Sequence, residues 1–309
     1  MRGGIAILDY VFILRPTLFY PIWTFFLAGV WGTRFISGHE DGALISPGLF
    51  WIAAGLTALM GSIYILNQIQ DAETDRINSK LFLIARGIVP VRAATIEALL
   101  LAVVSLGFGF WVDYRVGMGF LFLFLLGLLY SYPPARWKNR PYLSLISNGL
   151  LAVVCYSVGW MAGGGERFLQ PHMAGYFLAG AAVYLNTTLP DIDGDRRTGK
   201  ITFAVRHGLR STLCWALVLE VLAIAIAGFC RDWLLLVASV AVCPLFFLSV
   251  LQRSVPAAVR ATKMSVVVLT AVVCVFFLLT LIPVFAVFLL SRWYYKKRFD
   301  LDYPNFKST

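Results

Sequence analysis

Two short segments of the sequence carry aspartates at helical spacing, and both follow long apolar runs. The first, LNQIQDAETDRINSK, places Asn67, Asp71 and Asp75 four residues apart, so a helix would present all three side chains on one face. The second, LPDIDGDRRTGK, gives Asp191 and Asp195 the same spacing, with a third aspartate between them. Each segment can therefore direct two carboxylates toward one point.

The position of these carboxylates predicts a bound cation. In a soluble protein, an aspartate pair at this spacing would more often be a solvated helix face. At the end of a membrane helix the pair is unfavourable by roughly 0.3–1 kcal/mol, because the helix dipole is negative there and like charges repel. Oxygen ligands without Cys or His favour Mg²⁺, which binds carboxylates, substrate phosphate oxygens and water. We predict Asp71, Asp75, Asp191 and Asp195 as catalytic residues and metal ligands.

A third segment, YSYPPARWK, runs from Tyr130 to Lys138 between the two aspartate segments. Its proline pair predicts the end of a helix. Lys138 and the arginines beside it fit a membrane anchor and a phosphate site equally well. In the second interpretation Lys138 and Lys200, the latter from the loop after the second aspartate segment, bind phosphate oxygens as point charges.

The composition places these segments in a membrane protein. Of 309 residues, 60% are hydrophobic and 14% charged, and the mean hydropathy is +0.79, which excludes an ordinary soluble domain. Apolar runs long enough to span a bilayer recur along the chain. They predict one all-α membrane domain over residues 1–309, a bundle of about nine helices at 10–31, 48–66, 93–112, 116–132, 142–161, 172–189, 211–229, 233–251 and 264–290.

The charges of the connecting loops orient this bundle. The loops after the second, fourth, sixth and eighth runs are rich in Lys and Arg, and such loops face the cytoplasm. Both aspartate segments therefore belong to the cytoplasmic side of a multi-pass membrane protein. The net charge of +10 reflects these loops beside anionic lipid, so nucleic acid is not supported as a partner.

The C-terminal tail disagrees with nine crossings. An odd number would place it outside, yet it carries five basic residues, Arg292, Lys296, Lys297, Arg298 and Lys307. Either the last apolar run is not a single crossing, with a break near Pro283, or the basic residues of the other loops determine the topology despite those of the tail. Because the other loops agree with one another, the sequence favours the second explanation.

Together, the three segments resemble the motifs of a known family, the UbiA-type membrane prenyltransferases. NQIQDAETDRIN is similar to the first aspartate motif of that family, DIDGDRRTGKITFAVRHG to its second, and YSYPPARWK to the segment between them. The order and spacing agree over nearly the whole chain. The likeness is greatest to the homogentisate prenyltransferase and chlorophyll synthase side of the family.

The resemblance implies a helical bundle around a central cavity that opens sideways to lipid. It implies Mg²⁺-dependent transfer of a prenyl group from a prenyl diphosphate to a lipophilic, aromatic acceptor, with release of diphosphate. Carried over by position, it makes Asn67 and the four aspartates the metal and diphosphate site. Tyr130 and two further tyrosines, Tyr64 and Tyr184, are expected to line the cavity near the reacting allylic carbon.

Two positions depart from the family pattern, and the acceptor stays open. In SKLFLIARG a phosphate ligand expected near Phe82 is absent, and Arg86 or Lys80 is expected to bind substrate in its place; Thr188 stands where some relatives have an acid. A quinone precursor, a tetrapyrrole and a glycerol-based lipid all remain candidate acceptors. The alternative function is a cation-coupled secondary transporter, which would place its acids near mid-span rather than at helix ends.

Overall fold

The computed structural model describes residues 2–38, 46–77 and 83–304. Within these ranges the protein is all-α, which confirms the predicted fold class. The helices are α1 (Arg2–Phe12), α2 (Phe19–Phe35), α3 (Pro47–Ile77), α4 (Val91–Val112), α5 (Tyr114–Ser131), α6 (Pro141–Ala162), α7 (Met173–Thr187), α8 (Ile192–Arg197), α9 (Phe203–Phe229), α10 (Trp233–Gln252), α11 (Val255–Phe276) and α12 (Leu281–Phe299).

Nine helical segments of the described chain are long and apolar enough to cross a membrane. They differ from the predicted nine at three places. The first run is not one helix, because α1 ends at Phe12 and a left-handed Arg15 (φ 56°) leads through the short 3-10 turn Pro16–Leu18 into α2. The predicted sixth run is α7, whose 15 residues are short for a span, although it packs between α6 and α9.

The last predicted run, 264–290, is wrong as a single crossing. α11 ends at Phe276, Phe277 leaves the helical conformation (φ −125°, ψ 61°), and α12 begins at Leu281. Pro283 is not the cause of the break, because it lies in the first turn of α12, where backbone N–H groups have no helical partner. If α7 crosses together with the nine candidate spans of the described chain, the number of crossings is ten, which is even.

Side-chain contacts join α1, near the beginning of the chain, to α12, near its end, as an even number of crossings requires. Asp9 of α1 is buried and accepts hydrogen bonds from Tyr294 (2.5 Å) and Arg298 (2.9 and 3.2 Å) of α12. Phe12 stacks on Tyr294 with ring centroids 3.7 Å apart. The basic end of α12 therefore lies beside α1. Together with the break after α11, this contact favours the first explanation of the tail, in which the last apolar run is not a single crossing.

Labelling from the two sides of the membrane should reproduce this topology. Cysteines introduced as Arg196→Cys, in α8, and Asp302→Cys, after α12, are expected to react with an impermeant maleimide from the same side of oriented vesicles. Glu166→Cys, in the loop between α6 and α7, should react from the opposite side. If Asp302→Cys were labelled together with Glu166→Cys, the return of α12 would be contradicted.

Small residues allow the helices at the centre to approach closely. A Cβ at Gly159 of α6 would lie 1.8 Å from the Phe26 carbonyl oxygen of α2, and one at Gly29 would lie 2.0 Å from the Tyr156 carbonyl oxygen. Contacts between backbones at this range are typical of membrane helix pairs, where packing of small residues replaces the hydrophobic effect. The α2–α6 pair forms a rigid wall beside the cavity described below.

Candidate active site

A cavity of about 630 Å³ lies inside the helix bundle. Its lining includes mainly apolar side chains of α2, α5, α10 and α11, whereas most of its charged residues lie at helix ends or in the connections between helices. We call the end of the cavity that these charged residues form its mouth. The charged members of the described lining are Arg15, Asp71, Asp75, Lys138, Asp191, Lys200 and Glu220. Residues of both aspartate segments and of the segment between them therefore share one site.

The first aspartate segment forms the last turns of α3. This helix has 31 residues and is about 46 Å long, so it extends past a hydrocarbon layer about 30 Å thick. Asn67, Asp71 and Asp75 all line the cavity, as their spacing predicts. The Asn67 amide donates to the Ser131 hydroxyl at 2.9 Å, whereas Glu73 is exposed on the other side of the helix.

The second aspartate segment differs from its prediction. The membrane helix α7 ends at Thr187, and the aspartates lie at the start of the separate six-residue helix α8. Acids are favourable at that end of a helix because the dipole is positive there, so the predicted repulsion applies to α3 alone. Asp191 lines the cavity, and Asp193 is exposed with Arg196 at 3.8 Å.

Asp195 contacts Lys200, which lines the cavity, but is not itself part of the described lining. It is buried, lies outside the described cavity lining, and accepts a hydrogen bond from Lys200 Nζ at 3.2 Å. Burial lowers the pKa of Lys200, but the Asp195 carboxylate more than offsets this, and the net pKa lies above its ordinary value. Lys200 is therefore held as a cation at the cavity mouth, with Asp195 positioning it.

Lys138 is placed by the turn that follows α5. Its side chain is almost fully buried, at 4% exposure, and Nζ lies 2.5 Å from Asp71 Oδ1. Burial lowers its pKa, and the Asp71 carboxylate offsets part of the shift. A surface anchor would be exposed to headgroups, so the burial of Lys138 beside Asp71 favours the site interpretation, which stays a prediction.

Tyrosines join the charged mouth to the apolar walls. Tyr130 lines the cavity, as do Tyr184 and Asn148. Tyr64 lines the same cavity and donates to the Leu18 carbonyl oxygen at 3.4 Å. All three tyrosines therefore line the cavity, and their role in binding stays a prediction.

The basic residues of the cavity lining differ from the predicted ones at two positions, Arg86 and Arg15. Arg86 is exposed and lies outside the described cavity lining, so the structure does not bring it to the site; Lys80 and Phe82 lie outside the described residues. Arg15, which was not predicted, does line the mouth. Its signal in the sequence is the Arg-Pro pair directly before the apolar residues of α2.

The donor set fits a divalent cation that shares its ligands with a substrate. Among the described residues no group of three or more His, Cys, Asp or Glu is placed to hold a metal ion. Mg²⁺ typically takes one or two carboxylates and completes its shell with phosphate oxygens and water. The oxygens of Asn67, Asp71, Asp75 and Asp191, all facing one cavity, supply such a partial shell.

Comparison with known proteins identifies relatives of this arrangement. The sequence model of the UbiA prenyltransferase family matches residues 22–264. A 2-acylphloroglucinol 4-prenyltransferase of Humulus lupulus is 29% identical over 53% of this chain and 43% of its own. Homogentisate phytyltransferase 1 of Arabidopsis thaliana is 28% identical (59% and 51%), and a lycopene elongase/hydratase of Haloferax volcanii is 33% identical (52% and 53%). The chain spans about half the length of these curated relatives.

A solved structure shares the fold. The UbiA homolog from Archaeoglobus fulgidus, in its complex with GPP and Mg²⁺, superposes with a TM-score of 0.62 over 86% of this chain and 99% of that protein. The sequence identity is 18%, so this likeness concerns the helical architecture. The family match ends at residue 264 and begins at residue 22, which leaves α1 and most of the α11–α12 region outside it.

Proposed function

The chain belongs to the UbiA prenyltransferase family, and on that basis we propose that it transfers a prenyl group from a prenyl diphosphate to a lipophilic acceptor and releases diphosphate. One observation carries the proposal: carboxylates and cations from separate helices converge at the mouth of a cavity whose walls are apolar. A prenyl diphosphate has the same division, with a charged head and a hydrocarbon tail.

The first step is breakage of the allylic C1–O bond, with the electron pair leaving on the diphosphate oxygen. Arg15, Lys138 and Lys200 lie at the mouth and stabilise the negative charge that develops there. Mg²⁺, when bound, supplies further positive charge to the diphosphate oxygens. One or two of the carboxylates of Asp71, Asp75 and Asp191 would hold it, and Asn67 would contribute its amide oxygen.

The second step joins the allylic carbon to the acceptor. The allylic carbocation needs a surrounding that excludes water and offers aromatic ring faces. Tyr64, Tyr130 and Tyr184 line the cavity and would supply those rings. A nucleophilic carbon of the acceptor supplies the electron pair of the new C–C bond and then loses its proton to water. The names of the Humulus lupulus and Arabidopsis thaliana relatives give aromatic substrates, an acylphloroglucinol and homogentisate, which supports an aromatic acceptor here.

The orientation of the site follows from charge. Arg136, Lys138, Arg196 and Lys200 lie in the connections after α5 and α7, at the same end of the bundle as the aspartates. Lys296, Lys297 and Arg298 in the last turn of α12 add further positive charge. By the preference of basic loops for the cytoplasm, the active site faces the cytoplasm. The transporter alternative is not supported, because the chain belongs to a prenyltransferase family.

A product survey tests the reaction class. Purified protein incubated with dimethylallyl, geranyl, farnesyl and geranylgeranyl diphosphates, together with homogentisate, an acylphloroglucinol or lycopene, is expected to yield an acceptor heavier by one prenyl group in mass spectrometry. One diphosphate should be released per product formed. Diphosphate release without any alkylated product would contradict transfer and indicate hydrolysis instead.

A further inference from the structure

One acidic residue of the cavity takes no part in the reaction described above. Glu220 of α9 is 2% exposed and lines the cavity. It lies far from the charged mouth, because α9 begins beside Lys200, is kinked at Gly208 (φ 77°), and rises about 18 Å from that kink to Glu220. The aspartates end at the mouth, whereas this carboxyl group lies within a membrane-spanning helix.

The neighbouring side chains leave most of the hydrogen-bonding capacity of the Glu220 carboxyl group unused. Ser239 of α10, itself buried, lines the same cavity close enough to interact with it. The cations of the described lining, Arg15, Lys138 and Lys200, belong to the mouth. A carboxyl group at this depth in a membrane is costly unless its hydrogen bonds are satisfied, and one hydroxyl leaves much of its capacity unused.

The facing helix offers a second polar group to the same cavity. Thr262 of α11 lines the cavity, and its Oγ1 is buried without a hydrogen-bond partner among the described residues. Ser265, one turn further on, also lines the cavity, although its hydroxyl donates to the Ala261 carbonyl oxygen. Polar side chains of α9, α10 and α11 thus line the inner cavity.

The prenyl donor does not explain these groups. Beyond its diphosphate, the donor is a hydrocarbon and contains no atom that can hydrogen-bond with a carboxyl or hydroxyl group. Glu220 and Ser239 must therefore match a polar group on another molecule that enters the cavity. A hydroxyl group matches best, because it can donate to an ionised carboxylate or accept from a protonated one.

We infer that Glu220 and Ser239 form a second polar subsite, deep in the cavity, that binds a hydroxyl group of the lipophilic acceptor. This inference rests on the proposed function and refines its acceptor class to lipids that carry a hydroxyl group remote from the diphosphate. The subsite selects among acceptors, and the bond-making chemistry stays at the mouth.

Competition binding without any diphosphate tests the subsite. With tritiated geranylgeraniol bound to the purified protein in detergent, hexadecan-1-ol should displace the label at a concentration about tenfold lower than hexadecane, since one hydrogen bond to a carboxyl group is at stake. Glu220→Leu should abolish this preference, and Glu220→Gln should retain part of it. Glu97→Leu, which removes a carboxyl group of α4 outside the described lining, should leave the preference intact.

Chemical modification of the unmutated protein gives a second measurement that does not depend on folding of a variant. Dicyclohexylcarbodiimide, which reacts with membrane-buried carboxyl groups, should modify Glu220, and hexadecan-1-ol should protect Glu220 where hexadecane does not. A preference for the alcohol that survives in Glu220→Leu, or equal protection by both compounds, would overturn the subsite. Failure of every prenyl diphosphate to release diphosphate would instead remove the proposed function and leave the alcohol preference standing.

Discussion

Asp71→Ala and Asp191→Ala are each expected to lower turnover by about 10²-fold or more. Both carboxylates line the cavity mouth, one from the end of α3 and the other from the start of α8. Each lies where it can hold a divalent cation beside the same diphosphate. Steady-state diphosphate release by purified variants measures the effect, and size-exclusion chromatography in detergent should show an unchanged fold.

The double variant Asp71→Ala/Asp191→Ala should be little worse than either single variant. Side chains that act as one unit contribute non-additively, since loss of one already disables the arrangement. Losses that multiply would instead show two independent sites. The double variant therefore tests whether the two aspartate segments, separated by more than a hundred residues in the sequence, work together.

Glu73→Gln is the matched control. Glu73 belongs to the same helical turn as Asp71 but is exposed and outside the described lining, so its loss should leave turnover close to that of the unmodified protein. Asp71→Asn is the corresponding isosteric change at the site. If Glu73→Gln were as damaging as Asp71→Asn, the face of α3 assigned to the substrate would be wrong.

Asp71→Ala carries a structural consequence that must be separated from the catalytic one. It leaves the nearly buried Lys138 ammonium without the carboxylate 2.5 Å away, and an uncompensated buried charge destabilises a fold. Asp71→Asn keeps a hydrogen-bond acceptor for that lysine. A loss of turnover in both variants with a similar unfolding temperature in Asp71→Asn would assign the effect to the site.

Local periodicity was enough to predict the face of α3. Asn67, Asp71 and Asp75 share it because a helix repeats every 3.6 residues, and that helix continues unbroken to Ile77. The same rule gave the wrong context for Asp191 and Asp195. Pro190 stands between α7 and α8, and the spacing alone does not say whether an aspartate pair ends one helix or begins another.

Tertiary contacts explain what the sequence did not predict about the ends of the chain. The break at Phe277 lies within a continuous apolar run, where hydropathy cannot separate one span from two. The pairing of Asp9 with Tyr294 and Arg298 joins residues nearly three hundred positions apart. Glu220 was overlooked for a similar reason, because its place in the cavity depends on the packing of α9 against α10.

Removal of divalent cations is expected to abolish the reaction. The described carboxylates at the mouth are too few at one point to hold a metal by themselves, so the cation should bind together with the diphosphate rather than to the free protein. Chelation should then stop turnover without lowering the unfolding temperature of the substrate-free protein. A metal that supported the fold would instead lower both.

The measurement that tests the central claim most directly is diphosphate release as a function of Mg²⁺ concentration. Purified protein with a prenyl diphosphate and an acceptor from the product survey should release diphosphate in proportion to prenylated product. Release should fall to background in excess EDTA and return fully when Mg²⁺ is added back above the chelator. Turnover that continues unchanged in excess EDTA would contradict the mechanism.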